Sequence, residues 1–252
     1  MSGTERPGWV DSREPVVASV TGLARELADP VRLTALQLLS AEGPHTLTQL
    51  ADALGVSAPR LGNHLARLRS AGLVAVEHHG RHAVYQVAAP GIADVLTALA
   101  RYARADLAAG PVRPATADDL AHTCYDHTAG LLGVAIFAAL TERGALLPPD
   151  GRDSALALGG DPSLFGELGV DVGAVEPGRR KLATACLDRT HRLPHLGGVL
   201  GKAVLDALVA RDLVRPREGA RTLTLTPRGT RELPALVPGF TPPSGPGRVD
   251  SA

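Results

Sequence analysis

The sequence predicts a mainly α-helical protein with small β-hairpins, and two observations indicate this fold class. Apolar residues recur at the three- and four-residue spacing of a helix through most of residues 14–108, and again between residues 132 and 214. Short stretches in which apolar and polar residues alternate, typical of hairpin strands, follow some of these helices, including possible hairpins at 154–160 and 220–229. With 252 residues, the chain is long enough for two domains that each bury a core.

Composition divides the chain into five segments. Residues 1–13 are polar and residues 238–252 are rich in Pro, Gly and Ser, so both ends are predicted to be disordered. The first predicted domain comprises residues 14–108, and the second comprises residues 119–237. Residues 109–118, which contain two Pro and a Gly, are interpreted as the linker between them.

Charge is concentrated in one part of the sequence. Lys plus Arg and Asp plus Glu both number 26, so the net charge indicates no particular partner. Between residues 57 and 82, however, four Arg and four His accompany a single acidic residue, Glu77. This local excess of basic residues is typical of a nucleic-acid-binding element, with a merely solvated helix face as the alternative.

The sequence also favours one cellular compartment. No apolar run reaches the length of a membrane span, and Met1–Ser12 lacks the apolar core of a signal peptide. A cytoplasmic location without membrane contact is therefore predicted. In that compartment the two Cys are expected to be reduced thiols.

The first predicted domain has the organisation of a DNA-binding motif. Asp29 can cap the second helix, with Pro30 at its first position, and Thr46 and Ser57 are suited to cap the third and fourth. The fourth helix turns Leu residues inward and carries a polar face, and two strands with a basic tip follow it. This succession is a winged helix-turn-helix, whose polar helix enters the DNA major groove. The predicted elements are helices 15–28, 29–40, 46–54, one from 57 onwards and 90–107, and two strands within 73–87.

The same residues resemble a known family. DPVRLTALQLL at 29–39, GVSAPRLGNHLARLRSAGLV at 55–74 and GRHAVYQV at 80–87 are similar in order and spacing to the ArsR/SmtB family of bacterial repressors. The resemblance implies a homodimer joined through the first and last helices of the domain. It also implies that the two recognition helices lie in successive major grooves of a double-stranded operator.

The metal-binding motifs of that family are absent. The helix at 46–54 contains no Cys, and residues 92–107 offer Asp94 and Asp106 but no His. The family's usual metal chemistry is therefore not expected here, and no cofactor is predicted.

Seven residues are predicted to contact DNA. Arg60 can read guanine and Asn63 can read adenine through paired hydrogen bonds, whereas His64 and Arg67 are expected to hold phosphates. A hydroxyl at the start of this helix can hold a phosphate or simply cap the helix. With two residues of the wing tip, the predicted contacts are Ser57, Arg60, Asn63, His64, Arg67, His79 and Arg81.

The second half of the sequence repeats itself. Residues 132–146 match residues 200–214 at six of fifteen positions, and each copy follows a Cys-x-Asp-x-Thr motif that begins at Cys124 or Cys186. At an offset of 140 residues, the last copy also matches core positions of the DNA-binding motif. We interpret this half as duplicated, degenerate winged-helix-like units. The helix equivalent to the recognition helix, predicted at 195–211, carries few basic residues, so an effector-binding or partner-binding role is favoured over DNA binding.

The thiols and nearby imidazoles are the candidate sensor residues. Cys124 and His127 are predicted to share a helix face, and His191 follows Cys186. A turn after Pro194 could add His195. A soft metal site, a dithiol switch and buried apolar Cys remain the three interpretations, of which the last is favoured. Asp126 and Asp188 are most simply interpreted as helix caps.

The predicted function is a DNA-binding transcriptional regulator and not an enzyme. The sequence contains no glycine-rich phosphate loop, ordered nucleophile or His-Glu-x-x-His motif. The prediction is a dimeric repressor, released from its operator when a small-molecule or redox effector acts on the second domain. The alternative is a metal-handling or enzymatic protein that uses the winged helix as an interaction platform.

Overall fold

The computed structural model describes residues 14–79, 82–89, 91–109 and 116–242. The chain divides into two compact units, Met1–Leu39 with Pro44–Pro90, and Ser40–Gly43 with Gly91–Ala252. The predicted disordered segment 1–13, residues 243–252 of the predicted disordered segment 238–252, and most of the predicted linker lie outside the described residues. Within 238–252, Phe240 is 2% exposed and packs in the core of the second unit, so its position does not agree with the predicted disorder. Among the described residues, no helix combines the length and the apolar composition that spanning a membrane requires.

Four helices form most of the first unit, and local capping signals set their ends. Before the second helix, Oδ1 of Asp29 accepts a hydrogen bond from the backbone N–H of Arg32 at 2.9 Å. The third helix begins with a capping box in which Thr46 and Gln49 each satisfy the other's backbone N–H. It ends at a glycine, Gly55, with φ of 67°. These helices are α1 (Pro15–Leu27), α2 (Pro30–Glu42), α3 (Leu47–Leu54) and α4 (Ala58–Ser70).

A three-stranded antiparallel sheet contains the wing, which is the hairpin of the two strands that follow α4. The strands are β1 (His45–Thr46), β2 (Val74–His79) and β3 (His82–Val87), in the order β1-β3-β2. Leu61, Leu65 and Leu68 of α4 are fully buried, while the opposite face of the helix is exposed. The predicted winged helix-turn-helix is therefore confirmed, with β1 as an additional edge strand that the sequence analysis did not identify.

The second unit alternates short hairpins with helices. Its helix α5 (Ile92–Ala109), which the sequence analysis assigned to the first domain, groups with this unit. The remaining elements are α6 (Ala117–Leu120), β4 (His122–Cys124), β5 (His127–Ala129), α7 (Gly130–Glu142), α8 (Ser163–Leu168), β6 (Thr184–Leu187), β7 (Pro194–Gly197), α9 (Gly198–Ala210), β8 (Val214–Pro216), β9 (Leu223–Leu225) and α10 (Pro227–Leu236).

The core of the second unit is built around α7 and α9. Helix α7 is apolar on nearly all sides, as expected for a helix enclosed by other elements. Leu132 and Leu140 of α7 and Leu200 and Leu208 of α9 are fully buried in one apolar cluster. Phe165 of α8 fills the same core.

The two hairpin–helix segments β4-β5-α7 and β6-β7-α9 share backbone features. Each helix begins with a glycine of positive φ, 75° at Gly130 and 77° at Gly198. One turn later, Gly133 and Gly201 lie so close to the preceding strand that an added Cβ would be 2.3 and 2.5 Å from a carbonyl oxygen. These paired positions are all separated by 68 residues, which is the offset between the repeated sequences.

Three sequence predictions for this unit are corrected. Cys124 and His127 do not share a helix face, since they lie in the antiparallel strands β4 and β5. The hairpin expected at 154–160 is reduced to an isolated bridge between Leu146 and Leu158. The expected recognition helix from His195 begins only after strand β7. Strands this short show too few alternations for the sequence to distinguish them from helix ends.

Replacing Gly133 by Ala tests the close approach of α7 to β5. The added methyl group would meet the carbonyl oxygen of Thr128, so we expect Gly133→Ala to lower the free energy of unfolding by about 1–3 kcal/mol. Gly166→Ala in α8 is the matched control, because no atom lies within 4 Å of the position that its added methyl group would occupy. Its effect should be neutral, or stabilising by about 0.5–1 kcal/mol. Denaturant unfolding of both variants measures the difference, and equal stabilities would contradict the packing.

Candidate DNA-binding helix and thiol–imidazole cluster

The exposed face of α4 is the first candidate site. Ser57 occupies the N-cap position, but its hydroxyl makes no capping hydrogen bond, and it is exposed together with Arg60 and Asn63. Within the part of the chain that the structure describes, the Arg60 and Asn63 side chains have no hydrogen-bond or ion-pair partner. The guanidinium and the amide therefore project from the helix with no partner among the described residues.

The two other predicted contacts on α4 have partners within the first unit. Nδ1 of His64 lies 3.3 Å from Oδ1 of Asp29. Nε of Arg67 donates to both carboxylate oxygens of Glu26, at 2.9 and 3.1 Å. The pKa of Asp29 is lowered, chiefly by the hydrogen bond from the backbone N–H of Arg32 and further by the charges of His64 and Arg32. A phosphate that binds His64 or Arg67 must compete with these carboxylates.

The wing supplies the remaining predicted DNA contacts. His79 is the last residue of β2 and pairs in register with His82 at the start of β3. Arg81 lies outside the described residues. The roles of His79 and Arg81 in DNA binding therefore stay predictions.

The second candidate site is a cluster of two thiols and two imidazoles in the second unit. Cys124 pairs in register with His127 across the first hairpin, and Cys186 pairs with His195 across the second. One ligand atom from each of Cys124, His127 and His195 lies within 4.8 Å of the other two. The Cys186 sulfur lies near the His127 ring, since a Cβ at Gly197 would be 3.0 Å from that sulfur and 3.4 Å from the ring, and both cysteines are free thiols. We call these four residues the thiol–imidazole cluster.

The two imidazole rings of the cluster are buried, and their nitrogens have no hydrogen-bond partner among the described residues. His127 is 4% exposed and His195 is 1% exposed, and their ring centroids are 5.2 Å apart. Among the described residues, no hydrogen-bond partner reaches either nitrogen of either ring. The nearest carboxylate oxygen, Oδ1 of Asp126, lies 3.6 Å from Nδ1 of His127. Buried polar groups are normally paired, so two such rings side by side are unusual and require a physical explanation.

The two thiols differ in their affinity for a proton. The pKa of the Cys124 thiol is lowered, because the neighbouring Cys186 thiol and the two imidazoles stabilise its thiolate. The pKa of the Cys186 thiol is raised, because it keeps the proton next to the Cys124 sulfur and is buried. Cys124 is therefore the sulfur that carries negative charge most readily, as a nucleophile or a metal ligand must.

His191, a predicted sensor residue, does not belong to the cluster. Its Nε2 lies 2.7 Å from the backbone oxygen of Asp119. The residue found in its place is His195. The repeat offset of 68 residues could have identified it, because 127 plus 68 is 195, so the two histidines occupy equivalent positions. Proximity to Cys186 along the chain favoured His191 instead.

The two aspartates near the cysteines have different structural roles. Asp188 is buried, and its Oδ2 accepts a hydrogen bond at 2.8 Å from the N–H of Gly130, the first residue of α7. Its Oδ1 accepts from the N–H groups of Thr190 and His191, at 2.9 and 2.7 Å. Asp126 is not a helix cap, since both of its oxygens accept from Arg180. Asp188 thus ties the second hairpin to the helix of the first segment.

Helix α5 contacts the elements that carry the cluster. Ala100 of α5 packs in one buried apolar cluster with Val134 of α7 and Leu193, which lies two residues before His195. Nη2 of Arg101 also lies 3.4 Å from a carboxylate oxygen of Glu142 at the end of α7. Beside these contacts is a cavity of about 520 Å³, lined by α5, α7 and three proline-containing segments.

Comparison with known proteins places these sites in context. A family profile described as bacterial regulatory protein, arsR family, matches residues 29–76. YdfF of Bacillus subtilis, an uncharacterized HTH-type transcriptional regulator, is 30% identical over 217 residues, which are 85% of this chain and 94% of YdfF. A probable mercury resistance operon repressor of Streptomyces lividans is 40% identical over 85 residues, 34% of this chain and 66% of the relative.

A solved structure is also similar to part of the chain. It is the homodimeric winged helix-turn-helix DNA-binding domain (fragment 1–100) of Mb0332 from Mycobacterium bovis, described as a possible ArsR-family transcriptional regulator. It is 24% identical, with a TM-score of 0.36, and the match covers 43% of this chain and 99% of that one. The match with YdfF is much longer and extends through both units, because 217 residues exceed the length of either.

Replacing Asp188 tests its role in joining the segments. We expect Asp188→Ala to lower the free energy of unfolding by roughly 2–3 kcal/mol at neutral pH, because buried N–H groups lose a charged acceptor. Burial by itself raises the pKa of Asp188, but hydrogen bonds from the N–H groups of His191 and Gly130 outweigh it and lower the pKa overall. Stability from such a carboxylate is present above its unfolded pKa and lost as the pH falls through its folded pKa.

The stability difference between wild type and Asp188→Ala should therefore shrink as the pH falls below the ordinary aspartate value of 3.8. Urea unfolding at a series of pH values measures this difference. Asp206→Ala, which removes an exposed partner of Lys202, is the control and should cost about 0–1 kcal/mol. A difference for Asp188→Ala that stays constant across the acidic range would contradict the proposed role of the charge.

Proposed function

The chain belongs to the ArsR family of bacterial regulatory proteins, and on this basis we propose that it is a dimeric DNA-binding repressor. Release from the operator follows when an effector, or a modification of the thiols, acts on the second unit. The observation that carries the proposal is the exposed face of α4 within a winged helix-turn-helix, on which the Arg60 and Asn63 side chains have no partner among the described residues. This is the helix that enters the major groove in that motif.

The proposed DNA contacts divide into base reading and phosphate binding. Arg60 and Asn63 read base edges, because both side chains are exposed and can make paired hydrogen bonds to guanine and adenine. Ser57, with the free N–H groups at the start of α4, binds a phosphate. His64 and Arg67 bind phosphates after exchanging their carboxylate partners, and His79 and Arg81 of the wing extend the contact along the backbone.

Exposed apolar residues support the proposed dimer. On α1, Val16 is 67% exposed and Val20 is 61% exposed. On α5, Leu99 is 46% exposed and Tyr102 is 74% exposed. Large apolar residues concentrated on two helices favour burial against a partner, and a second copy of the chain is the partner that we propose. The name of the Streptomyces lividans relative, a probable operon repressor, supports repression as the sign of regulation.

Signal transmission is proposed to run from the second unit through α5. A change near His195 alters the position of Leu193, which packs against Ala100 of α5. Because α5 carries exposed apolar residues of the proposed dimer, its displacement changes the separation of the two recognition helices. Operator affinity then falls without any change in α4 itself.

The second unit is proposed to have arisen by duplication of a winged-helix-like element that has lost DNA binding. After α9, the N–H of Leu213 donates to the oxygen of Leu208, as the N–H of Leu73 does to Leu68 after α4. The basic charge of α9 is largely neutralised, however, since Lys202 pairs with Asp206 at 2.5 Å. A retained scaffold with a neutral helix suits an effector-binding unit. The proposed DNA partner also implies that the protein acts in the cytoplasm.

Replacing Arg60 tests the proposed function. We expect Arg60→Ala to weaken binding to the operator by about 1–3 kcal/mol, because a paired contact to a base is lost. Arg217→Ala removes another exposed arginine, from the second unit, and should leave affinity unchanged. Fluorescence anisotropy with the DNA upstream of the protein's own gene, against an unrelated duplex over a range of salt concentrations, measures specific binding.

Two outcomes would contradict this proposal. If Arg60→Ala binds the specific duplex as tightly as the wild type, then α4 does not read its sequence. If the wild-type protein prefers no promoter fragment from its own genome, even at low salt, the winged helix is better explained as an interaction platform. Specific binding that weakens with salt confirms the regulator.

A further inference from the structure

We propose that Cys124, His127, His195 and Cys186 form a binding site for a soft or borderline divalent transition metal of the Zn²⁺ class. The site lies in the second unit and uses none of the residues proposed to contact DNA. The part of the inference that concerns regulation rests on the proposed function, whereas the metal site itself does not.

The spacing of the ligand atoms supports a single metal ion. A tetrahedral Zn²⁺ with bonds of about 2.0–2.3 Å holds its ligand atoms roughly 3.3–3.8 Å apart. In the protein, ligand atoms of Cys124, His127 and His195 already lie within 4.8 Å of one another. A contraction of about 1 Å, which side-chain rotations can supply, brings them to bonding distance.

The buried imidazoles provide an independent observation. His127 and His195 are more than nine-tenths buried, and no described residue accepts or donates a hydrogen bond at any of their ring nitrogens. Burying a polar nitrogen without a partner costs free energy, and two adjacent rings double that cost. Coordination of a cation by one nitrogen of each ring removes part of this cost in free energy. Metal binding therefore explains why polar rings occupy this position.

The thiols complete a ligand set that suits zinc. Each hairpin supplies one thiol and one imidazole at paired register positions, Cys124 with His127 and Cys186 with His195. Cys186 adjoins this set, because it pairs with His195 and its sulfur and the His127 ring both lie next to Gly197, so we assign it as the fourth ligand. Two Cys and two His in tetrahedral arrangement form a common structural zinc site. Binding releases the thiol protons to solvent.

Glycines allow these four side chains to converge. A Cβ at Gly197 would be 3.0 Å from the Cys186 sulfur and 3.4 Å from the His127 ring. A Cβ at Gly201 would be 3.1 Å from that of His127, and one at Gly133 would be 3.5 Å from that of His195. Each helix therefore accommodates the histidine of the other segment. The cluster depends on both segments and cannot form from one alone.

A carboxylate lies near the cluster, at a position from which it can orient a metal-binding histidine. Oδ1 of Asp126 is 3.6 Å from Nδ1 of His127, and Arg180 holds that carboxylate through two hydrogen bonds. In metal sites, the ring nitrogen that does not bind the metal usually contacts such a group, which fixes the orientation of the ring. Asp126 can serve His127 in this way after a small approach.

Metal binding at this position would act on α5. His195 lies two residues after Leu193, which packs against Ala100 of α5. Drawing His195 towards the cysteines displaces this stretch of chain relative to α5. Given the proposed function, the metal is then the effector that weakens operator binding.

Metal titration of the reduced, chelator-treated full-length chain tests the site. We expect one Co²⁺ per chain, with the intense d–d absorption of tetrahedral cobalt and a thiolate-to-metal charge-transfer band, and displacement of cobalt by Zn²⁺. Cys124→Ser and His195→Gln should abolish this spectrum. Cys186→Ser should weaken the charge-transfer band. His191→Gln, a nearby histidine outside the cluster, is the matched control and should bind cobalt like the wild type.

A second measurement covers the case in which a variant fails to fold. In the wild-type protein, stoichiometric Zn²⁺ should protect both cysteines from alkylation, and Mg²⁺ should not. Absence of tetrahedral cobalt binding by reduced wild-type protein would overturn the proposal, as would undiminished binding by a folded His195→Gln variant. An unchanged charge-transfer band in Cys186→Ser would remove Cys186 from the ligand set.

The regulatory part is measured separately, so that the two proposals can fail independently. Zn²⁺ should weaken specific DNA binding by the wild type and by His191→Gln, but not by Cys124→Ser. Stoichiometric metal binding with no specific DNA binding would contradict the proposed function alone. Specific DNA binding that does not respond to bound Zn²⁺ would leave the metal site confirmed and its regulatory role refuted.

Discussion

The close approach of each hairpin to the helix of the other segment is the constraint on which the second unit depends. Gly133 and Gly201 leave room for the backbone of the preceding strand and for a histidine from the opposite segment. A side chain larger than hydrogen at either position would separate strand from helix. Asp188 strengthens the same arrangement, because its buried carboxylate binds the N–H of Gly130 at the start of α7. Packing and hydrogen bonding thus fix the position of the two segments relative to each other.

This constraint also creates the chemistry of the unit. Close packing brings Cys124, His127 and His195 together beside Cys186 at the boundary between the segments, where both rings are buried and both thiols are partly buried. Polar groups with few partners are costly in such a place, so a site of this kind is ready to bind a cation or to change its oxidation state. The cluster lies close to Leu193, which packs against α5. A structural change in the cluster can therefore displace α5, a helix with exposed apolar residues.

The first unit depends on local signals instead, and the sequence predicted it well. Asp29, the Thr46–Gln49 capping box and Gly55 fix helix ends through residues within one turn of each other. The winged helix-turn-helix and its exposed recognition helix followed from these signals. The sequence did not indicate that Glu26 and Asp29 would pair with Arg67 and His64. That pairing requires α4 to pack near the end of α1, and it joins residues that are 41 and 35 positions apart.

The sequence by itself determined helices α1 to α5, the family and the repeated sequences of the second unit, because each depends on spacings of a few residues or on one constant offset. Tertiary structure alone decided that Cys124 and His127 lie on paired strands. It also placed His195 instead of His191 beside them, an assignment that the repeat offset could have suggested. Strands of three or four residues carry too few alternations to be distinguished from helix ends. The cluster joins residues up to 71 positions apart, from Cys124 to His195, so only the packing of glycines against opposing strands brings them together.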